Sequence, residues 1–517
     1  MILFLKLRKN QLKRFFLYVD EEIVLDSNQV LRKKTLSGLL WKFMERIGAQ
    51  GVNFIVSIVL ARLLLPEQYG IVALVTVIIN LCNVFVTSGL PNALIQKKDA
   101  DDIDFSTVLY FNVVFSAVIY IALFFAAPFI SSFFEYEQLT AVIRVMGISL
   151  IIASISSVQH SMVSRKMQFR KFFFATIGGT LTSAVVGIIM AYKGFGVWAL
   201  VAQHLTNMAI DMIVVAIVNR WIPKLAFSFK RLGGLFSFGW KILVSSLVGA
   251  IFEDIRTLII GKMYTSADLA RYNKGKQFPT LIVSNINTSI QSVMFPLLSK
   301  KQDDKTEIKR IMRRSIKTSA YIIMPMMFGL AAVAEPLIKI LLTETWIECV
   351  PYLQIACVSM AIMPLQTANL QALYALGRSD LILKMEIIKK SVSLAIVFST
   401  CFFGVKAIAL GGVAISLFAL IVNIFPNKKF LRYGYLEQLK DILPFILMSV
   451  AMTAVVICMG WIPINIYAVL ALQVASGIVI YVALSVIFKV ESFRYLFNII
   501  KTNVAKVLKK SKNNGEN

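Results

Sequence analysis

Residues 107–133 read TVLYFNVVFSAVIYIALFFAAPFISSF, an apolar run closed off by Asp104 on one side and Glu135 on the other. A helix rises about 1.5 Å per residue and the hydrocarbon core of a bilayer is about 30 Å thick, so roughly 18 or more such residues suffice to cross it. Outward from this run, apolar stretches bounded by charges or turn residues recur at 36–60, 70–92, 139–162, 172–192, 196–219, 235–261 and 277–299. Others follow at 318–342, 347–375, 385–404, 407–425, 441–460 and 464–488, which predicts fourteen spans in all. The composition agrees: the 517 residues are 58% hydrophobic and 16% charged, and the mean hydropathy is +0.74, outside what a water-soluble domain tolerates. Lipid offers no water to satisfy backbone amides, so long unbroken runs mean helices, whereas a membrane barrel would show about ten residues of alternating polarity per strand. The expected fold class is an all-α polytopic membrane protein with about fourteen transmembrane helices.

Orientation follows from the basic residues, which concentrate in cytoplasmic loops. With the N-terminus inside, the N-terminal segment, the loops around 97–98, 165–171, 220–231, 300–317, 378–390 and 428–440, and the tail hold 41 of the 54 Lys and Arg residues. The opposite loops hold eight, namely Arg62, Lys193, Lys262, Arg271, Lys274, Lys276, Lys339 and Lys406. Both termini are therefore expected in the cytoplasm, and the net charge of +26 is explained without a nucleic-acid partner, since it lies in short clusters over many loops. The Lys/Arg-rich 300–317 loop is expected to lie against anionic headgroups.

Cys82, Cys349, Cys357, Cys401 and Cys458 are scattered and odd in number, without disulfide or metal spacing. His160 and His204 sit in separate spans with no carboxylate beside them in sequence, which favours a packing role. No phosphate-binding Gly-x4-Gly-Lys-Ser/Thr loop occurs, so ATP hydrolysis by this chain is not expected. Neither a cofactor nor a metal is expected.

The chain repeats itself. Trp41-Lys42, Tyr69, Pro91 and Lys97-Lys98 recur as Trp240-Lys241, Tyr272, Pro296 and Lys300-Lys301, at offsets of 199, 203, 205 and 203. Ala127-Pro128-Phe129-Ile130 and Glu335-Pro336-Leu337-Ile338 continue the series at 208. The order and spacing predict two parallel six-helix repeats around a central cavity, with the substrate path between them. The expected organisation is a cytoplasmic N-terminal segment or start-site artefact at 1–35, a lobe at 36–219, a cytoplasmic linker at 220–234 and a second lobe at 235–425. A helix pair at 441–488, read as an uncharged lipid-facing addition, and a basic cytoplasmic tail at 489–517 complete it.

Polar groups inside the spans carry the candidate chemistry. At about 100° per residue, Lys42, Glu45, Arg46, Gln50, Asn53 and Ser57 share an arc of roughly 140° on the first helix. Lys241, Ser245, Gly249, Glu253 and Arg256 share a similar arc on the seventh, with Asp254 pointing elsewhere. Thr76, Asn80, Asn83 and Thr87 stripe the second span, and Asn285, Thr288, Ser289 and Ser292 the eighth. Four stripes on repeat-related helices predict a water-filled, sugar-compatible cavity. The plainer readings are that Lys42 and Lys241 snorkel to headgroups, that Glu45 and Glu253 neutralise neighbouring cations, and that the amides and hydroxyls glue helices together. They leave unexplained why so much intramembrane charge, which costs several kcal/mol unless it faces water or a partner, falls on two equivalent helices.

The runs Leu36-Ser37-Gly38-Leu39-Leu40-Trp41-Lys42-Phe43, Leu60-Ala61-Arg62-Leu63-Leu64-Leu65-Pro66-Glu67-Gln68-Tyr69-Gly70 and Gly89-Leu90-Pro91-Asn92-Ala93-Leu94-Ile95-Gln96 resemble polysaccharide exporters of the Wzx type. These belong to the multidrug/oligosaccharidyl-lipid/polysaccharide superfamily, and the likeness, over about 31–488, is to its colanic-acid and teichuronic-acid exporter branch. The resemblance implies flipping of an undecaprenyl-diphosphate-linked oligosaccharide from the cytoplasmic to the periplasmic leaflet of a bacterial inner membrane by alternating access. Membrane lipids and other polysaccharide-assembly proteins are the further partners it implies, and no nucleic acid. Such a substrate needs cations for its phosphates and hydroxyl or amide partners for its sugars. Lys42, Arg46, Lys241 and Arg256 fit the first need; Gln50, Asn53, Asn80, Asn83, Asn285 and Thr288 fit the second. Glu45, Asp211, Glu253 and Asp254 are candidate ion- or proton-coupling carboxylates, with a counter-ion role as the alternative.

Two other classes stay in view. A cation-coupled drug antiporter of the same superfamily would favour an acidic, aromatic cavity. A membrane-embedded glycosyltransferase or polymerase would need a large external loop or an Asp-rich catalytic loop, for which the Asp99 to Asp104 cluster, otherwise read as a solvated turn, is the candidate.

Overall fold

The computed structural model describes residues 27–498 and 501, with backbone alone for 27–40, Lys42, Phe43 and Phe169. The expected N-terminal segment up to 26 and most of the basic tail lie outside the described residues. The chain is all-α, and its contacts divide it into two compact units that part between Leu258 and Ile259.

Unit 1 contains α1 (Ser27–Leu63), α2 (Pro66–Thr87), α3 (Leu90–Gln96), α4 (Asp102–Phe134), α5 (Gln138–Met146), α6 (Ile148–Arg165), α7 (Phe169–Tyr192), α8 (Val197–Asn219) and most of α9 (Phe229–Met263). Unit 2 continues with α10 (Ser266–Ser299), α11 (Lys305–Ala332), α12 (Ala334–Leu341), a 3-10 turn (Glu344–Cys349) and α13 (Val350–Ala375). It closes with α14 (Ser379–Thr400), α15 (Val405–Leu431), α16 (Tyr435–Met459) and α17 (Ile466–Ile487).

Among the described residues, thirteen helices are long and apolar enough to cross a membrane, against the fourteen expected. The missing one is 385–404. It is helical, as α14, but Lys384, Glu386, Lys389 and Lys390 occupy its first half, where Lys389 pairs with Glu386 at 2.5 Å and donates to Asn423 Oδ1 at 3.2 Å. Two boundaries also move. α10 begins at Ser266 rather than near 277, so Arg271, Lys274 and Lys276, read as loop residues, are helical, and Lys274 is buried with its ammonium 5.8 Å from the Trp346 ring centroid. α11 begins at Lys305, where Asp304 accepts from the Thr306 and Glu307 amides at 3.0 Å each. Most of the expected 300–317 headgroup loop is therefore an amphipathic helix start that buries Ile308, Met312 and Ile316.

The helix pair at 441–488 is neither uncharged nor simply lipid-facing. Asp441 of α16 is buried and accepts from Arg313 at 2.7 Å and from the Tyr433 hydroxyl at 2.8 Å, with Lys317 3.4 Å away. Burial, reinforced by that hydrogen bond, pushes the Tyr433 phenol up. Deeper along α11, the Tyr321 ring packs against Phe445 and Tyr481, and the Tyr481 hydroxyl donates to the Tyr321 carbonyl at 2.9 Å. The pair is docked on α11 by aromatic contacts and by one shared carboxylate.

Equivalent backbone devices punctuate both units. The side chain three residues into the helix reaches back to the cap amide at α2 (Leu65 N to Gln68 Oε1, 3.1 Å) and at α10 (Thr265 N to Asp268 Oδ2, 3.4 Å). Gln168 before α7 and Arg378 before α14 share φ −90° and ψ 54°, and α8 and α15 both end on a left-handed arginine, Arg220 and Arg432.

Candidate functional site

In unit 1, α1 lies on α7. The Trp41 ring meets Phe173 edge-on at 5.3 Å, and the Arg170 guanidinium sits 5.6 Å from the Trp41 ring centroid. This contact orients the polar stripe of α1. Glu45 is half-buried and accepts from the Thr176 hydroxyl of α7 at 3.2 Å. Arg46 and Gln50 are half-buried and Asn53 is exposed, while the Lys42 side chain lies outside the described residues.

On the other side of α7, Asp211 of α8 lies 2.7 Å from His160 Nε2 and accepts from Ser156 Oγ at 3.2 Å, both on α6. The His160 ring packs on Phe172, one helical turn before Thr176. The expectation that His160 has no carboxylate neighbour is thus overturned. Residues 160 and 211 lie two spans apart, and only the packing of α6 beside α8 joins them. His204 is half-buried, and its buried Nε2 has no hydrogen-bond partner, in keeping with a packing role.

Several polar groups of the α2 and α10 stripes bond within their own helix. Thr76 and Thr87 donate to carbonyls of their own helix at 2.7 and 2.8 Å, as Thr288 and Asn285 do at 2.8 and 2.9 Å. Asn80 and Thr288 are exposed. Asn83 keeps a buried Oδ1 with no hydrogen-bond partner. Neither side-chain polar atom of Asn287 is partnered either, although the residue is only 2% exposed; the sequence reading named its neighbour Asn285 and passed over it. On α9, Lys241 and Glu253 are exposed, and Asp254 and Arg256 are half-buried. The N-terminal end of α9 is set by a glycine contact, since a Cβ on Gly239 would stand 2.9 Å from the Gly89 carbonyl carbon.

At the end of unit 1 formed by 94–107, 165–171 and 219–231, charges are tied together. Arg165 donates to the carbonyls of Leu94, Lys97 and Lys98. Asp104, expected in a solvated turn, is fully buried, 2.6 Å from Lys97 and 3.5 Å from Arg231. Asp101 pairs with Arg231 at 2.5 Å, and Asp102 with Lys224 at 3.3 Å and with the Trp221 indole N–H at 3.2 Å. The Arg231 guanidinium holds the Asp101 carboxyl at about 2, well below its usual value. The aspartate cluster is a clasp for the 220–231 connection, not a catalytic loop.

Paired charges and hydrogen-bonded polar groups set inside lipid-crossing helices mark the chain as a membrane transporter rather than a bilayer anchor. Residues 59–351 match the model of a family described as "Polysaccharide biosynthesis protein". The chain belongs to that family, the polysaccharide exporters of the Wzx type in the multidrug/oligosaccharidyl-lipid/polysaccharide superfamily, which are transporters and not enzymes. It is 24% identical to the succinoglycan biosynthesis transport protein ExoT of Rhizobium meliloti over 62% of this chain and 65% of that one, a little under two thirds of the relative's length. It is also 24% identical to the lipopolysaccharide biosynthesis protein WzxC of Escherichia coli, over 81% of this chain and 86% of that one. Its fold matches the inward closed conformation of the lipid II flippase MurJ with a TM-score of 0.71, at 16% identity, over 89% of this chain and all of that one.

Proposed function

We propose that this protein flips an undecaprenyl-diphosphate-linked oligosaccharide from the cytoplasmic to the periplasmic leaflet of a bacterial inner membrane. The observation that carries the reading is the pair of half-buried arginines, Arg46 and Arg256, within apolar spans of a chain from a polysaccharide-export family. A diphosphate has the charge and bidentate geometry that guanidinium groups recognise. Lys42 and Lys241, on the same two helices, are the further cations of this reading. The matching cap geometries of α2 and α10, of α7 and α14, and of α8 and α15 support a duplicated six-helix unit, at 36–219 and 235–425 with a linker at 220–234. On this reading α14 completes the second six as a fourteenth span, its charged first half facing protein or water. Gln50, Asn53, Asn80, Asn83, Asn285 and Thr288 offer the glycan hydrogen bonds, and Asn83 has an acceptor to spare. Of the carboxylates proposed for coupling, Asp211 has the strongest support, because His160 beside it offers a second protonatable group. Glu45, Glu253 and Asp254 remain proposed on position alone. The bias of Lys and Arg supports a cytoplasmic place for both termini.

Replacing Lys42, Arg46, Lys241 and Arg256 singly by Gln removes charge while keeping hydrogen bonding. One charge-assisted contact is worth about 1.5–3 kcal/mol, so each loss should weaken substrate binding roughly ten- to a hundred-fold and lower transport at matched membrane levels. Arg46→Lys should rescue only in part. Normal polysaccharide export by all four Gln variants would refute the cationic cavity.

A further inference from the structure

The opposite end of unit 1 from the aspartate clasp holds a cavity of about 780 Å³, within the range of small-molecule clefts. Three connections build it, the turns between α1 and α2, between α4 and α5, and between α7 and α8. Local hydrogen bonds fix two of them. The Ser131 hydroxyl donates to the Tyr136 carbonyl at 2.7 Å, which holds Glu135 in the left-handed region at φ 64°. The Phe195 amide donates to the Met190 carbonyl at 3.1 Å, and Gly196 turns the chain at φ 57° and ψ −125°, a region open to glycine, against the Gln68 amide.

The lining is acidic and aromatic. Tyr136, Phe195 and Trp198 bring aromatic surface, Glu67, Glu135 and Glu137 bring carboxylates, and Lys and Arg are absent from it. Glu67 and Glu137 are exposed and have no ion-pair partner among the described residues. Acidic clusters of this kind suggest a cation first, but no group of three or more carboxylate, His or Cys side chains among the described residues is arranged to hold a metal ion. A pyranose ring matches the combination better. Its C–H face is slightly positive and settles on the negative face of an aromatic ring, while its edge hydroxyls donate to carboxylate and amide oxygens. The carboxylates of Glu67 and Glu137, unpaired among the described residues, repel a phosphate or a uronic acid.

We propose that this cavity is a glycan subsite, in which Trp198 stacks on, and Glu67 and Glu137 accept hydrogen bonds from, a neutral or N-acetylated oligosaccharide segment. Its place as the glycan's landing point beyond the membrane rests on the flippase reading; sugar binding itself does not. The subsite divides the labour of recognition, since it takes sugar rings and excludes the diphosphate that the intramembrane cations attract.

The test uses the full-length protein in phospholipid nanodiscs, with chitotriose, maltotriose and trigalacturonate as probes and tryptophan fluorescence as the readout. The parent should give a saturable change with at least one neutral trisaccharide at millimolar concentrations, and bind trigalacturonate at least tenfold more weakly. Trp198→Ala should abolish the change. Trp198→Phe, which keeps an aromatic face, should retain binding when that sugar is followed by calorimetry. The exposed pair Glu67→Gln and Glu137→Gln, which spares the fold, should weaken binding at least tenfold. The proposal is overturned if neither neutral sugar gives a Trp198-dependent response up to tens of millimolar, or if trigalacturonate binds as tightly as they do. Absent sugar binding in protein that still flips in proteoliposomes removes the subsite alone. Intact sugar binding in protein that does not flip supports the subsite and removes the flippase reading.

Discussion

The two ends of unit 1 use acidic residues in opposite ways. At one end Asp101, Asp102 and Asp104 each meet a cation, and through Arg231 and Lys224 they clamp the 220–231 connection onto the start of α4, while Lys97 pairs with Asp104 beneath it. At the other end Glu67 and Glu137 line an open cavity beside Tyr136, Phe195 and Trp198 with no cation among the lining residues. The carboxylate chemistry is the same at both ends. Local Lys and Arg make the difference, and their placement is dictated by membrane insertion, which gathers basic residues on one face. One end is thereby rigidified by ion pairs, and the other is left with acceptors to spend on a ligand.

If this contrast holds, disturbing the clasp should cost stability and disturbing the cavity should cost binding. The largest stability loss is expected at Asp104. Its carboxylate is fully buried while Lys97 and Arg231 are each about a third exposed, so Asp104→Ala should destabilise by about 2–3 kcal/mol, at or just below the low end for breaking a buried pair. Thermal unfolding in detergent measures it, and a shift no larger than that of Asp99→Ala would show that the clasp holds nothing together. A smaller effect, about 1–2 kcal/mol, is expected for Gly196→Ala, because its backbone conformation strains any residue with a Cβ. That variant should also lose sugar binding at the cavity it shapes; unchanged stability and unchanged binding would place the turn elsewhere in solution.

The smallest effect concerns Asp101, which is half exposed, so its pair with Arg231 should contribute under about 1 kcal/mol. The sign follows from the lowered carboxyl. Because the folded value, about 2, lies below the ordinary 3.8, the contribution is present above about pH 4 and fades as the pH falls toward 2. Between pH 5 and 8, Asp101→Asn should therefore lower the melting temperature by a small, pH-independent amount that shrinks with added salt. A loss that grows between pH 5 and 8 would contradict the pairing.

Much of this was legible from residue order alone. Apolar runs too long for anything but a membrane helix placed thirteen spans, because hydropathy is a local property that lipid enforces residue by residue. The motifs near Leu36, Leu60 and Gly89 pointed to the exporter family that the match over 59–351 establishes. Local pattern misjudged the charged segments. It set Lys274 and the first turns of α11 in loops, since a helix that hides its charges against protein reads like a loop when only lipid is considered. It missed His160 with Asp211, Arg313 with Asp441, and Asp104 with Arg231, which join residues 51, 128 and 127 positions apart. Such pairs exist only once particular helices pack, and no periodicity along the chain encodes them. The acidic, aromatic cavity has the same origin, for its walls come from three short turns that converge because α2, α5 and α8 all begin at the same end of unit 1. Composition and hydropathy determined that this chain lives in a bilayer, and short motifs pointed to the family it joins. Tertiary packing alone decided which of its charges are spent on one another and which are left to meet a ligand.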